Sequence, residues 1–218
     1  MAKQNQIRKE IPVALTNATM TQITNEGGGG RKYEVDDLLL PSVTTVLSNL
    51  RNYGLDYWRN AWLEDRLDAY QGQTLTPAVA EDIKSASSLE ASHSASIGVA
   101  MHEIIDQLLR GEAKITYPDQ LEPAIRAWLK WRKQFQHLEF LGSETGVYCH
   151  DGDTCMNPDG YAGQVDAIFR DPKRGNLIVV DWKTSGDGSG GRSGIYDDNL
   201  LQLGAYTNAL HHMQVGSP

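Results

Sequence analysis

Residues 160–185 read GYAGQVDAIFRDPKRGNLIVVDWKTS, and each of the two apolar runs in this stretch meets an aspartate. Asp166 lies inside the first run, residues 165–169, and Asp181 directly follows the second, residues 177–180. A buried strand is normally apolar on both faces, so a carboxylate at such a position needs a partner. The stretch therefore predicts two strands whose aspartates belong to one polar site.

Strand geometry predicts how these groups meet. Adjacent antiparallel strands would bring Asp166 and Asp181 together, and Asp181 and Lys183, two residues apart, would point to one face. Two converging carboxylates repel unless they share a proton or hold a cation, and hard oxygen ligands favour Mg²⁺ or Mn²⁺. Lys183 would then lie beside the metal, where it can orient or help deprotonate an attacking water and stabilise charge on a phosphate. The alternative is an exposed Asp and Lys at a strand end, with Asp166 paired to an arginine.

The composition is typical of a globular protein: 218 residues, 40% hydrophobic and 22% charged. A formal net charge of -8 argues against indiscriminate coating of nucleic acid, but it permits a local site whose acids are neutralised by metal. The two cysteines, Cys149 and Cys155, are too few for a four-thiolate iron–sulfur cluster, so we expect no such cluster and reduced thiols. No apolar run is long enough to span a membrane and no signal peptide is recognisable, which predicts a cytoplasmic protein.

The order of patterns predicts one α+β domain over residues 1–218. Alternating β-branched stretches around the glycines at 27–30 indicate a hairpin. Thr76-Pro77 is typical of a helix N-cap with a first-turn proline, and Gly111 is a typical stop after the helix at 97–109. The predicted parts are an N-terminal hairpin at 1–40, a helical region at 41–140, and a catalytic sheet with its closing helix at 141–212.

Four short motifs resemble a known nuclease superfamily. GQVDAI and VVDWKTS match the signature of the PD-(D/E)XK nucleases, an acid on one strand and acid-x-Lys on the next. SIGVAMHEIID resembles the Gly-x-x-x-His helix of the RecB-like branch, and QLGAY resembles its Gln-x-x-x-Tyr helix. Within that branch, LPSVTTVLS and YDDNLLQLGAYTNAL look most like the mitochondrial genome maintenance exonuclease group with its phage and bacterial relatives. Acid-x-Lys alone is a weak signal, whereas four motifs in this order are a strong one.

The resemblance implies a metal centre and a catalytic lysine. His102 would be a metal ligand or contact a metal-bound water, Asp166 and Asp181 would be carboxylate ligands, and Trp182 would be a ligand through its backbone carbonyl. Lys183 would be the catalytic lysine. For His102, the alternative is a hydrogen-bonded core histidine on an otherwise apolar helix.

Further residues are implied at lower specificity. Gln202 and Tyr206, four residues apart on one helix face, would reach a substrate phosphate or brace the lysine, and the alternative is a packed helix face. Glu144 resembles an acid that some relatives use near the metals. Arg192, in a glycine-rich loop, would contact a substrate phosphate.

The resemblance also implies the fold and the reaction. The expected fold is a restriction-endonuclease-like core, a small mixed β-sheet flanked by helices, with a helical arch over the site. The expected protein is a Mg²⁺- or Mn²⁺-dependent DNA exonuclease with one or two ions, acting on single-stranded or frayed DNA ends in DNA repair or recombination, in a bacterial or phage-infected cell. Two alternatives stay open, a structure-selective DNA endonuclease and a non-catalytic nucleic-acid-binding module that keeps the fold.

Overall fold

The fold is mixed α+β, as predicted. The computed structural model describes residues 6–26, 30–50, 53–150, 155, 159–184 and 196–215, with the backbone alone for 53–59, 86–91 and 215. Two antiparallel sheets form its β portion, and two isolated parallel bridges, Val13 to Gly146 and Ser42 to Ala162, join them.

The N-terminal sheet is a four-stranded meander. Its strands, in sheet order, are β1 (Gln6–Pro12), β2 (Thr19–Asn25), β3 (Arg31–Val35) and β4 (Leu38–Pro41). The predicted hairpin corresponds to β2 and β3, and the structure adds a strand on either side. The β3–β4 turn consists of Asp36 and Asp37, which both have positive φ, as a two-residue hairpin turn requires. Residues 27–29, at the predicted hairpin tip, lie outside the described residues.

The helices are α1 (Val43–Leu47), α2 (Tyr53–Ala69), α3 (Pro77–Leu109), α4 (Glu122–Gln134) and α5 (Asp197–Val215), with a 3₁₀ turn at Asp119–Leu121. Thr76 caps α3 by accepting a hydrogen bond from the Val79 N–H, and Gly111 follows its end with a φ of 77°, both as predicted.

The helix at 97–109 is the end of a continuous 33-residue helix. Sequence periodicity did not reveal this because residues 80–96 are largely alanine, serine and polar residues without an apolar stripe. Of the helices in the described ranges, none combines the length and apolarity needed to cross a bilayer.

The second sheet consists of β5 (Glu139–Cys149), β6 (Tyr161–Arg170) and β7 (Leu177–Val180), with β6 in the centre. Helix α5 packs on one face, where Tyr206 and Leu210 join the core around Val147 and Val165. On the other side, Trp182 directly after Asp181 packs against two tryptophans of α4, with ring centroids 6.2 Å away for Trp128 and 4.9 Å for Trp131. This aromatic packing fixes the backbone just beyond β7, where the predicted site lies.

Candidate metal and catalytic site

Asp166 and Asp181 lie side by side on neighbouring strands, as predicted. Ala167 pairs with Val180 in antiparallel register. Asp166, one residue before Ala167, therefore stands opposite Asp181, one residue after Val180. Asp166 is only 9% exposed, and its neighbours on the strand, Val165 and Ala167, are fully buried. Its Oδ2 accepts a hydrogen bond of 2.6 Å from the backbone N–H of Trp182. Because Oδ2 is held in this way, Oδ1 is left to face the rest of the cluster.

Glu144 extends this pair to a row of three acids. Ser143 pairs with Ala167 and Thr145 with Val165, so Glu144 of β5 stands at the level of Asp166 on its other side. The Glu144 backbone has a φ of 52°, a left-handed conformation that costs a non-glycine residue about 1 kcal/mol and is typical of functional sites. Gln164 holds the side chain by donating from Nε2 to Glu144 Oε2 at 2.7 Å. Burial, and then the charge of Asp166, raises the pKa of the Glu144 carboxyl.

His102 of α3 lies over this row, and both of its ring nitrogens face oxygen atoms. Nδ1 is 3.4 Å from Asp166 Oδ1 and 3.9 Å from Glu144 Oε1, and Nε2 is 3.0 Å from the Trp182 carbonyl oxygen. A neutral imidazole has a single N–H donor, so one ring lone pair would face an acceptor unless the ring is protonated or a cation intervenes. The hydrogen bond to Asp166 raises the pKa of His102, so these contacts favour the protonated ring.

Lys183 and Asp181 form the other end of the site. Lys183 Nζ lies 2.5 Å from Asp181 Oδ2, so the two side chains share a face as the spacing predicts. The Asp181 side chain is 4% exposed and the Lys183 side chain 47%, so the lysine remains open to a substrate. Burial, and then the charge of Asp166, raises the pKa of Asp181, while Lys183 lowers it. The cluster thus holds more negative charge than its own cations balance.

Gln202 and Tyr206 of α5 brace this end of the site. Gln202 Nε2 donates to Asp181 Oδ1 at 3.1 Å and to the Tyr206 hydroxyl at 3.0 Å, while its Oε1 accepts from Lys183 Nζ at 3.3 Å. The sequence predicted that Gln202 would contact either a substrate phosphate or the lysine. The contact with the lysine is present, and the contact with a phosphate stays a prediction. Tyr206 contacts this network through Gln202 and is itself buried.

The donor set fits a hard divalent cation. Ligand atoms of His102, Glu144 and Asp166 all lie within 4.8 Å of one another. Asp181 is not part of this close group, because its two carboxylate oxygens contact Gln202 and Lys183. His102 faces the two carboxylates through Nδ1 and the Trp182 carbonyl oxygen through Nε2, at 3.0 Å, so the carbonyl lies at the ring nitrogen that points away from the carboxylates. Two carboxylates with one imidazole nitrogen are a donor set that Mg²⁺ or Mn²⁺ can accept.

Two residues near the cluster were not found from the sequence. Asp106, one turn after His102 on α3, accepts hydrogen bonds from Ser143 Oγ and, at 2.9 Å, from Arg110 Nε, and its charge acts on Glu144. Gln164 orients Glu144 as described above. The spacing could have indicated both residues. Asp106 follows His102 by four residues and so shares its helix face, and Gln164 precedes Asp166 by two residues and so shares its strand face.

Close packing between β6 and α5 positions Tyr206. A Cβ at Gly163 would lie 2.3 Å from Tyr206 Cε1. We therefore expect Gly163→Ala to lower the free energy of unfolding by about 1–3 kcal/mol, because the ring or the helix must shift. Urea unfolding measures this change.

The matched control is Gly204→Ala, where an added Cβ meets nothing within 4 Å. This change should raise the free energy of unfolding by about 0.5–1 kcal/mol, because alanine favours the interior of a helix. If Gly163→Ala is as stable as the unaltered protein, Tyr206 does not pack on β6 as described.

Two residues singled out in the sequence remain to be placed. Gly98 is the glycine of the Gly-x-x-x-His pattern, and an added Cβ there would make only an ordinary contact, 3.5 Å from Thr184 Oγ1. Arg192 lies outside the described residues.

In comparisons with known proteins, the chain matches no family model, no curated protein and no solved structure.

Proposed function

We propose that this protein is a metal-dependent deoxyribonuclease, an exonuclease that hydrolyses phosphodiester bonds at single-stranded or frayed DNA ends. The observation that carries the proposal is the row of Glu144, Asp166 and Asp181 across three strands, with His102 over it and Lys183 at its open end. A site that only holds a structural cation has no need of a half-exposed ammonium beside a ligand carboxylate. Hydrolysis of a phosphate diester does, because negative charge grows on the phosphate oxygens.

The four motifs that resemble the RecB-like branch meet at this one place. His102 comes from α3, Asp166 from β6, Asp181 and Lys183 from the end of β7, and Gln202 from α5. Motifs separated by as much as 100 residues have no structural reason to converge on a single polar cluster. Their convergence supports a restriction-endonuclease-like core and a role like that of the DNA exonucleases the motifs resemble. We propose that this role is carried out in the cytoplasm of a bacterial or phage-infected cell, as the resemblance implies.

The residues present divide into metal-holding and substrate-facing groups. His102, Glu144, Asp166, Asp181 and the Trp182 carbonyl would hold one or two Mg²⁺ or Mn²⁺ ions. Such an ion supplies Lewis-acid chemistry, which polarises a phosphoryl oxygen and makes water a stronger nucleophile at neutral pH.

Lys183 acts on the substrate side. Its Nζ is held by Asp181 and Gln202, so the ammonium is positioned before the substrate arrives. From there it can donate a hydrogen bond to a non-bridging phosphate oxygen and orient the attacking water. The Trp182 N–H and Gln164 hold the Asp166 and Glu144 carboxylates, and such outer contacts keep ligands in a productive orientation.

A helical hairpin is available for the proposed arch. Arg66 and Tyr70, near the end of α2, both bind Asp82 of α3, at 2.9 and 2.6 Å. Because α3 also carries His102, we propose that this hairpin admits a strand by its free end.

In Mg²⁺, a linear labelled single strand should be degraded progressively, while a closed circle of the same sequence survives. The measurement is gel analysis of both substrates over time.

Two outcomes would change the proposal. If the circle is cut as fast as the linear strand, the protein is an endonuclease with the same catalytic residues. If linear single- and double-stranded DNA both survive with Mg²⁺ present, the non-catalytic binding module is the better description.

A further inference from the structure

One face of the N-terminal sheet carries hydrogen-bond donors beside the acid row. The inner face packs on the second sheet through Ile11 and Tyr33, among others. Side chains two apart on a strand share a face, so Lys9 belongs with Ile11 and Arg31 with Tyr33. Across the sheet, Gln22 pairs with Lys9 and Thr24 pairs with Arg31. We call Lys9, Gln22, Thr24 and Arg31 the donor patch.

The donor patch is free of strand carboxylates. The acids of these strands, Glu10 and Glu34, alternate onto the outer face, where Arg8 pairs with Glu34. Within the described part of the chain, no carboxylate lies at ion-pair distance from Lys9 or Arg31. In a protein with a net charge of -8, two cations that share a face without acid partners are available for an anionic ligand.

The donor patch adjoins the acid row. Strand β1 leads into Val13, which bridges to Gly146, and the Ala14 N–H donates to the Gly146 carbonyl at 2.8 Å. Gly146 is two residues from Glu144 on β5. Lys9 lies on β1, which packs along β5, the strand that carries Glu144. Burial raises the pKa of the Tyr33 hydroxyl, the nearby Arg31 guanidinium lowers it, and the charge of Glu144 raises it, so Tyr33 lies within reach of both groups.

Arg31 is also fixed in position. Its backbone N–H donates to Thr45 Oγ1 at 3.0 Å, and its carbonyl accepts from the Ser42 N–H at 3.0 Å. These contacts tie the residue to the first turn of α1. Arginine suits phosphate because its planar guanidinium donates two parallel hydrogen bonds, and a fixed backbone lowers the entropy lost on binding.

We infer that the donor patch binds a phosphate of the DNA strand next to the scissile phosphate. This inference rests on the proposed function. An acid row repels a polyanion wherever metal does not cover it, so a strand crossing the site needs cationic contacts at its edge. Contacts to backbone phosphates set the register of a strand without reading its sequence. The donor patch is thus a substrate-positioning surface, separate from the residues that act on the reacting atoms.

The test compares two pairs of substitutions that remove the same charge from the same two strands. Lys9→Gln with Arg31→Gln alters the donor patch, whereas Arg8→Gln with Lys32→Gln alters the outer face, where both residues line the same pocket. Binding of a labelled single-stranded oligonucleotide is measured in Ca²⁺ over a range of salt concentrations, and digestion is measured in Mg²⁺.

The donor-patch pair should weaken binding about tenfold and make the plot of log affinity against log salt shallower by about 0.7 for each phosphate that the protein no longer neutralises. It should raise KM with little change in kcat. The outer-face pair should change neither the slope nor KM. Lys9→Gln alone, which removes no hydrogen bond of Arg31, should give part of the same change and serves if the double variant does not fold.

Equal effects of the two pairs in an active enzyme would overturn the inference and leave the proposed function standing. A loss confined to kcat or to Mn²⁺ affinity, with KM and salt slope unchanged, would also overturn it, because the cations would then act on the acid row alone. If the unaltered protein neither binds nor digests DNA, the proposed function fails and the inference fails with it.

Discussion

Asp166→Asn and Asp181→Asn should each reduce digestion of single-stranded DNA by roughly 10³-fold or more, the upper range for loss of one preorganised electrostatic group. Asparagine has nearly the same shape as aspartate but no charge. At position 166 it can still accept the hydrogen bond from the Trp182 N–H. At position 181 its single carbonyl oxygen can accept from Gln202 or from Lys183, but not from both as the two carboxylate oxygens do. Each change therefore removes the charge that attracts a cation, and at position 166 it keeps the hydrogen bond that positions the Trp182 backbone.

The fold should survive both substitutions, with the free energy of unfolding altered by about 1 kcal/mol or less. The reason is that each variant loses an ion-pair partner but also relieves repulsion between buried carboxylates. Asp37→Asn is the matched control, because Asp37 is exposed in the β3–β4 turn and asparagine tolerates its positive φ equally well. Full activity in either the Asp166→Asn or the Asp181→Asn protein would show that the altered carboxylate holds no essential metal. Loss of activity together with unfolding would indicate a structural role.

The central part of the site could be predicted because it depends on local geometry. Asp181 and Lys183 share a face by the two-residue period of extended chain, and a short hairpin fixes Asp166 beside Asp181. The α+β class and the capped ends of α3 follow from patterns within a few residues of each other. The family resemblance added His102, 64 residues before Asp166, and Gln202, 19 residues after Lys183, and both reach the site only through folding.

Other features depend on tertiary structure and had no local signal. The orientation of Glu144 depends on a left-handed backbone and on Gln164 of the next strand. Strand β1 is largely exposed and charged, so no alternation of buried residues marked it. The donor patch requires the register of three strands and the bridge from Val13 to Gly146. Each of these follows from which elements pack together, and periodicity within one segment does not contain that information.

Divalent ions should decide whether the protein is active at all. Without them the row of Glu144, Asp166 and Asp181 has a surplus of negative charge that repels a phosphate diester. Mg²⁺ or Mn²⁺ should restore activity, and Mn²⁺ should serve at least as well because the His102 nitrogen suits the softer ion. Ca²⁺ should support DNA binding without turnover, since it binds oxygen ligands in a larger and less regular geometry.

The proposed metal site is tested most directly by the rate at which chelator-treated protein digests a labelled linear single strand as Mn²⁺ is added. We expect no digestion in chelator and a saturable rise with Mn²⁺. The Asp166→Asn protein, prepared in the same way, should remain inactive at every Mn²⁺ concentration, which excludes a contaminating nuclease. Rapid digestion in chelator, or no digestion at saturating Mn²⁺, would contradict a metal-dependent nuclease built on this cluster.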